Sequence, residues 1–62
     1  MANHRTTLKL KPYKGCEIER HTVDGDRFYH MYNHGELLGC CCSLTEAKKA
    51  IDWFLKSGLA TV

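Results

Sequence analysis

An α+β fold, three antiparallel strands closed on one side by a C-terminal helix, is what three features of this 62-residue sequence predict. They are a capped amphipathic stretch over Ser43–Gly58, an Asp24-Gly25 turn between two strand-like runs, and a second glycine turn at Gly35. An N-terminal segment, Thr7–Lys11, can add a fourth strand at the sheet edge.

The helix is the best-defined element. Ser43 followed by Glu46 has capping-box spacing, in which the hydroxyl accepts from the backbone N–H three residues on. Leu44, Ala47, Ile51, Phe54 and Leu55 recur at helical spacing and form one apolar stripe. Gly58 stands where a left-handed C-cap is wanted, and Lys56 complements the negative end of the helix dipole. Trp53 breaks the pattern. At about 100° per residue it projects away from the stripe, beside Glu46, Ala50 and Ser57.

Upstream, Cys16–Val23 and Arg27–Tyr32 read as strands joined by Asp24-Gly25, a strong type I′ hairpin signal. That register sets Ile18 opposite Met31, Glu19 opposite His30, Arg20 opposite Tyr29 and His21 opposite Phe28. The second hairpin, around Asn33-His34-Gly35, admits two registers. A three-residue loop ending in a Gly35 bulge sets Met31 opposite Leu37 and His30 opposite Leu38. A two-residue His34-Gly35 turn shifts the third strand by one and swaps its faces. The bulged loop is preferred because it places Leu37 and Cys41 with Ile18, Tyr29 and Met31. The expected core is therefore Cys16, Ile18, Tyr29, Met31, Leu37 and Cys41 against the helix stripe.

Residues 1–14 carry His4, Arg5, Lys9, Lys11 and Lys14 and no acidic residue. Alternation in Thr7–Lys11 suits an edge strand, and Pro12 blocks a ladder donor, as an edge or a free arm tolerates. The sequence as a whole reads as one domain: residues 1–14 a basic arm or edge strand, 16–42 the sheet, 43–58 the helix.

A chain of this length buries only about 60% of its unfolded surface, so its core is thin. Disulfides, a metal or self-association are the usual supplements. Cys40, Cys41 and Cys42 are consecutive, and neighbours on a strand face opposite ways, which makes a poor disulfide framework. MANHRTT lacks an apolar signal-peptide core, and no run is long enough to span a membrane. The expectation is a cytoplasmic protein with reduced thiols, supplemented by self-association. A formal charge of +2 is too small to argue for nucleic acid by itself.

The sheet face away from the helix is expected to carry Glu17, Glu19, His21, Phe28, His30, Tyr32, Leu38, Cys40 and Cys42. Such a face is too apolar for water, and large apolar patches mark partner surfaces. Either a second copy or a target packs on it, or the N-terminal arm folds back and covers it with Leu8 and Leu10. His21, His30, Cys40 and Cys42 form the one metal-like grouping, but Cys-x-Cys departs from the usual knuckle spacing. A Glu19–His30 pair beside small apolar side chains is the plainer reading, and no metal or cofactor is expected. No oxyanion hole or orienting third group accompanies a Cys–His pair, so no enzyme activity is expected either.

The segment GDRFYHMYNHGELLG leading into SLTEAKKAID resembles small strand–strand–strand–helix domains. Among these are the N-terminal DNA-binding domains of phage integrases, plant AP2-type domains, and many short phage- and prophage-encoded proteins. The integrase and AP2 resemblance implies a sheet face set in the DNA major groove, which needs base-reading donors. Here Glu17 and Glu19 stand on that face instead. The phage-type resemblance implies a compact protein that binds and blocks a host component, as anti-CRISPR and other anti-defence proteins do.

The expected function is thus a small non-enzymatic protein-binding module acting by occlusion, with Trp53, Phe28, Tyr32, Leu38, His30 and Glu19 as contacts and a homodimer as a possible state. The alternative is a DNA-binding accessory protein using Arg5, Lys9, Lys11, Lys14, Lys48, Lys49 and Lys56.

Overall fold

A computed structural model describes residues 5–61. Four strands and one helix follow in chain order: β1 (Arg5–Lys9), β2 (Glu17–Val23), β3 (Asp26–Asn33), β4 (Glu36–Cys41) and α1 (Leu44–Ser57). The strands form one antiparallel meander in the order β1-β2-β3-β4. The fold class is the expected one, with the optional N-terminal strand in place. His4 lies outside the described residues.

Each hairpin turns on a residue followed by glycine. Lys14-Gly15, Asp24-Gly25 and His34-Gly35 all have positive φ at both positions, from 50° to 87°. Paired left-handed residues are the requirement of a type I′ turn, whose twist matches that of the flanking strands. The first of these turns closes on a Tyr13–Cys16 bridge, with reciprocal backbone hydrogen bonds of 2.9 Å. The x-Gly signal recurs every ten residues in the sequence and marks all three reversals.

The β2–β3 register is the one the Asp24-Gly25 turn dictates, from Val23↔Asp26 to Glu17↔Tyr32. The β3–β4 register corrects the expected one. His34-Gly35 is a two-residue turn, with Asn33↔Glu36 and Tyr32↔Leu37, and the bulge sits beyond it. Because Met31 pairs with Gly39, Leu38 is the extra residue. The one-residue shift needed to keep Gly39 and Cys41 on the helix side is made inside the strand rather than in the loop. Leu37 consequently leaves the core and is 59% exposed, whereas Leu38 packs against the core. Leu38, partly buried against the core, meets in part the apolar requirement that Leu37 was expected to meet.

The helix packs over β3 and β4. Ser43 Oγ accepts from Glu46 N at 3.2 Å, and Gly58, at φ 81°, ends the helix. Gly58 N–H donates to the Leu55 carbonyl and Leu59 N–H to the Phe54 carbonyl, the paired bonds of a Schellman cap. Ala47 and Ile51 are fully buried against Cys16, Ile18, Tyr29 and Met31, with Leu44, Phe54, Leu55 and Cys41 packed around them. The Met31 and Phe54 side chains close over Gly39 in β4: a Cβ there would meet Met31 Cε at 3.5 Å and Phe54 Cζ at 3.8 Å, ordinary packing contacts.

Two contacts had no counterpart in the sequence expectations. After the cap the chain turns back, burying Ala60 and setting the Thr61 backbone against the buried Asn33 amide. On the other flank of the helix, Asp52 accepts hydrogen bonds from Tyr13 Oη at 3.1 Å and Lys14 Nζ at 2.8 Å. That pins the first turn to the helix. Lys14 holds the Asp52 carboxyl below its ordinary range, and Asp52 raises the Lys14 ammonium in return.

Candidate protein-binding face

Pairing of β1 beside β2 decides what happens to the far side of the sheet. Thr7 lies across from His21 and Lys9 from Glu19 on the outer side, while Leu8 faces the helix side with Arg20. Leu10 N donates to Ile18 O at 2.9 Å, and Leu10 packs against the core cluster. The segment therefore does not fold back: Leu8 and Leu10 point away from the outer face, contrary to the second expectation for its cover. Among the described residues, no element lies over the outer face.

Glu19, His21, Phe28, His30 and Tyr32 share this face, joined by Leu37 and Cys40 from β4. Phe28 is 37% exposed and Leu37 59% exposed. Of the expected contact residues, Glu19, Phe28, His30 and Tyr32 are brought together. Leu38 is not, because the bulge turns it towards the core, and Leu37 takes its place. Trp53 is 57% exposed on the helix, on the opposite side of the sheet.

The polar centre of the face is a small network. Glu19 lies across from His30 in the ladder, but its Oε1 contacts His21 Nε2 at 3.2 Å instead of forming the expected Glu19–His30 pair. His21 Nδ1 is 3.3 Å from Thr7 Oγ1. With both His21 nitrogens and the Glu19 oxygen so engaged, His30 packs edge-on against the His21 ring, centroids 4.2 Å apart. The His30 Nδ1 atom is buried and has no hydrogen-bond partner among the described residues. Burial first, and then the neighbouring His21 and Arg5, push the His30 imidazole below its ordinary value, with Glu19 opposing. Tyr32 is pushed up by burial and by Glu19 beside it.

A depressed histidine couples folding to pH with a definite sign. Below the unfolded value of 6.5 the unfolded chain binds a proton at this position that the folded chain resists. Stability is therefore present above that value and is lost as pH falls through the folded one. The urea midpoint should drop between about pH 8 and about pH 5, and His30→Gln should flatten the drop. An unchanged slope in His30→Gln would show that the histidine is not its source.

His30 stands directly across from Cys40, where the expected register had Leu38. The four cysteines are free, Cys16 buried and Cys40 and Cys42 exposed. Among the described residues no three His, Cys, Asp or Glu side chains converge as a metal group, and no helix is long and apolar enough to cross a membrane. Of the cations of the DNA alternative, Lys14 and Lys48 come together at the Tyr13 ring, apart from Arg5 and Lys9. Arg5 and Lys9 lie on the outer side of β1, whereas Lys14 is held by Asp52. Lys48 sits over the Tyr13 ring at 5.6 Å, and Lys49 lies 3.8 Å from Glu46.

No protein-family model matches the chain, and no curated protein or solved structure matches it. The fold and the face define its class: a small antiparallel sheet-and-helix domain with one sheet face uncovered among the described residues.

Proposed function

We propose that this chain is a non-enzymatic protein-binding module whose outer sheet face docks on a partner protein. One observation carries the reading: β1 extends the sheet in plane instead of covering it, so Phe28, His30, Tyr32 and Leu37 remain together on an open surface. Aromatic and aliphatic anchors around a few polar groups are the usual composition of a protein interface core. Glu19 and His21 supply the polar definition, and the basic edge of β1 borders them. The resemblance of the hairpin-and-helix segment to short phage proteins adds the expectation that the partner is a host protein blocked by occlusion.

The test compares capture by the wild-type chain and by a Phe28→Lys/Leu37→Lys variant, both checked for native circular dichroism. A bacterial protein held by the wild type should be lost, by at least about tenfold, from the doubly charged face. Equal retention by the two chains would reject the outer face as the docking surface.

A further inference from the structure

The two edges of the sheet are built differently. β1 is bordered by Arg5, Lys9, Lys11 and Pro12, the charges and proline that keep an edge strand from pairing. β4 is guarded only at its start, by Glu36 and the bulge at Leu38. From Leu37 to Cys42 it carries no charge and no proline, and its bulge is confined to the Leu37 end, leaving Gly39–Cys41 in regular register. An unguarded edge is a template for another strand.

The helix flank above that edge is also unusual. Lys48 and Asp52 face the Tyr13 turn, next to β2. At about 100° per residue, the opposite flank carries Glu46, Ala50, Trp53 and Ser57. This flank overhangs the β4 edge, as the Phe54 ring over Gly39 confirms. Trp53 therefore stands 57% exposed on the β4 side of the helix, with its ring against Phe54.

The geometry points to self-association through this edge: two copies pair β4 with β4 antiparallel about a two-fold axis, making one eight-stranded sheet with both helices on the same side. Spacing supports a second copy as the occupant. Strands lie about 4.8 Å apart, and the helix sits over β3 and β4. Pairing across the axis therefore sets the two helices about 10 Å apart, within reach of ridge-into-groove packing. Ala50 keeps the contact flank low, and Trp53 has an apolar wall to cover it. The helices run antiparallel, so the positive N-terminal end of each helix dipole lies beside the negative C-terminal end of the other. The outer face stays free, so this association is independent of the partner surface proposed above.

Sedimentation of the reduced full chain across a concentration series tests the inference, with Trp53 fluorescence followed in parallel. The mass should rise to twice 7.1 kDa, and the emission should shift to shorter wavelength as Trp53 is covered. Trp53→Glu, with native circular dichroism, should weaken the dimer at least about tenfold, whereas Phe28→Lys, on the outer face of β3, should leave it intact. A monomer throughout the series, a dimer unaffected by Trp53→Glu, or a dimer abolished by charging the outer face would each overturn it.

Discussion

Ile51→Ala should leave most of the chain unfolded at room temperature. Ile51 has no exposed surface and lies in the one core cluster with Ile18, Met31 and Ala47. Truncating a buried isoleucine costs about 2–5 kcal/mol, the upper end applying where neighbours cannot close the gap. Closure is hindered here, because the backbone on both sides is fixed: the helix by its caps, the sheet by its ladders. A single core of this size rarely supplies more than about 3–5 kcal/mol in all. The loss therefore approaches the whole stability of the fold. Loss of the helical signal and of a cooperative urea transition would be the result. A variant keeping the wild-type midpoint would mean that Met31, an adaptable side chain, refills the space.

Asn33→Ala should be the most damaging polar substitution. Asn33 is 7% exposed at the end of β3, and its amide serves the returning chain at both atoms. Nδ2 donates to Thr61 O at 2.8 Å, and Oδ1 accepts from Thr61 N at 3.2 Å. Nδ2 also lies 3.7 Å from the buried Cys16 Sγ. Removing the amide breaks two part-buried hydrogen bonds to the Thr61 backbone, a loss of about 1–3 kcal/mol at the usual net worth of a hydrogen bond. Ala60 then loses the anchor that keeps it buried. Asn33→Asp should be at least as harmful, because a carboxylate cannot donate to Thr61 O and would be charged in a buried site. A cycle with a chain truncated after Leu59 isolates the interaction. Denaturant midpoints for the two single changes and the pair should be strongly non-additive. Additive losses would assign Asn33 a role outside the tail contact.

Both predictions concern features of different legibility. Ile51 was readable: a residue on the apolar stripe of a capped helix has few places to go but the sheet. Asn33 read as a turn residue, and its burial depends on a segment almost thirty positions later that carries no periodicity of its own. The Lys14–Asp52 and Tyr13–Asp52 contacts were hidden for the same reason. The outer face was legible in part. Glu19, Phe28, His30 and Tyr32 follow from a hairpin whose turn type sets its register, and they fell together as expected. Leu38 did not. A hairpin loop fixes register only until a bulge intervenes, and whether a one-residue shift is taken up in the loop or the strand depends on which leucine finds space under the helix.

Local rules therefore determined most of the elements: Asp24-Gly25 the central reversal, alternation the strands, and Ser43, Gly58 and the stripe between them the helix, whereas the Lys14-Gly15 reversal and the two-residue form of the His34-Gly35 turn were not read from the sequence. These are properties of a few neighbouring residues, and backbone sterics or periodicity suffice to express them. Tertiary packing alone decided the rest. It chose Leu38 over Leu37 for the core, drew the tail onto Asn33, held β1 in the plane of the sheet, and left β4 an unpaired edge among the described residues. Each outcome turns on how apolar surface distant in sequence is shared out within a thin core, and no window of the sequence contains both sides of that balance.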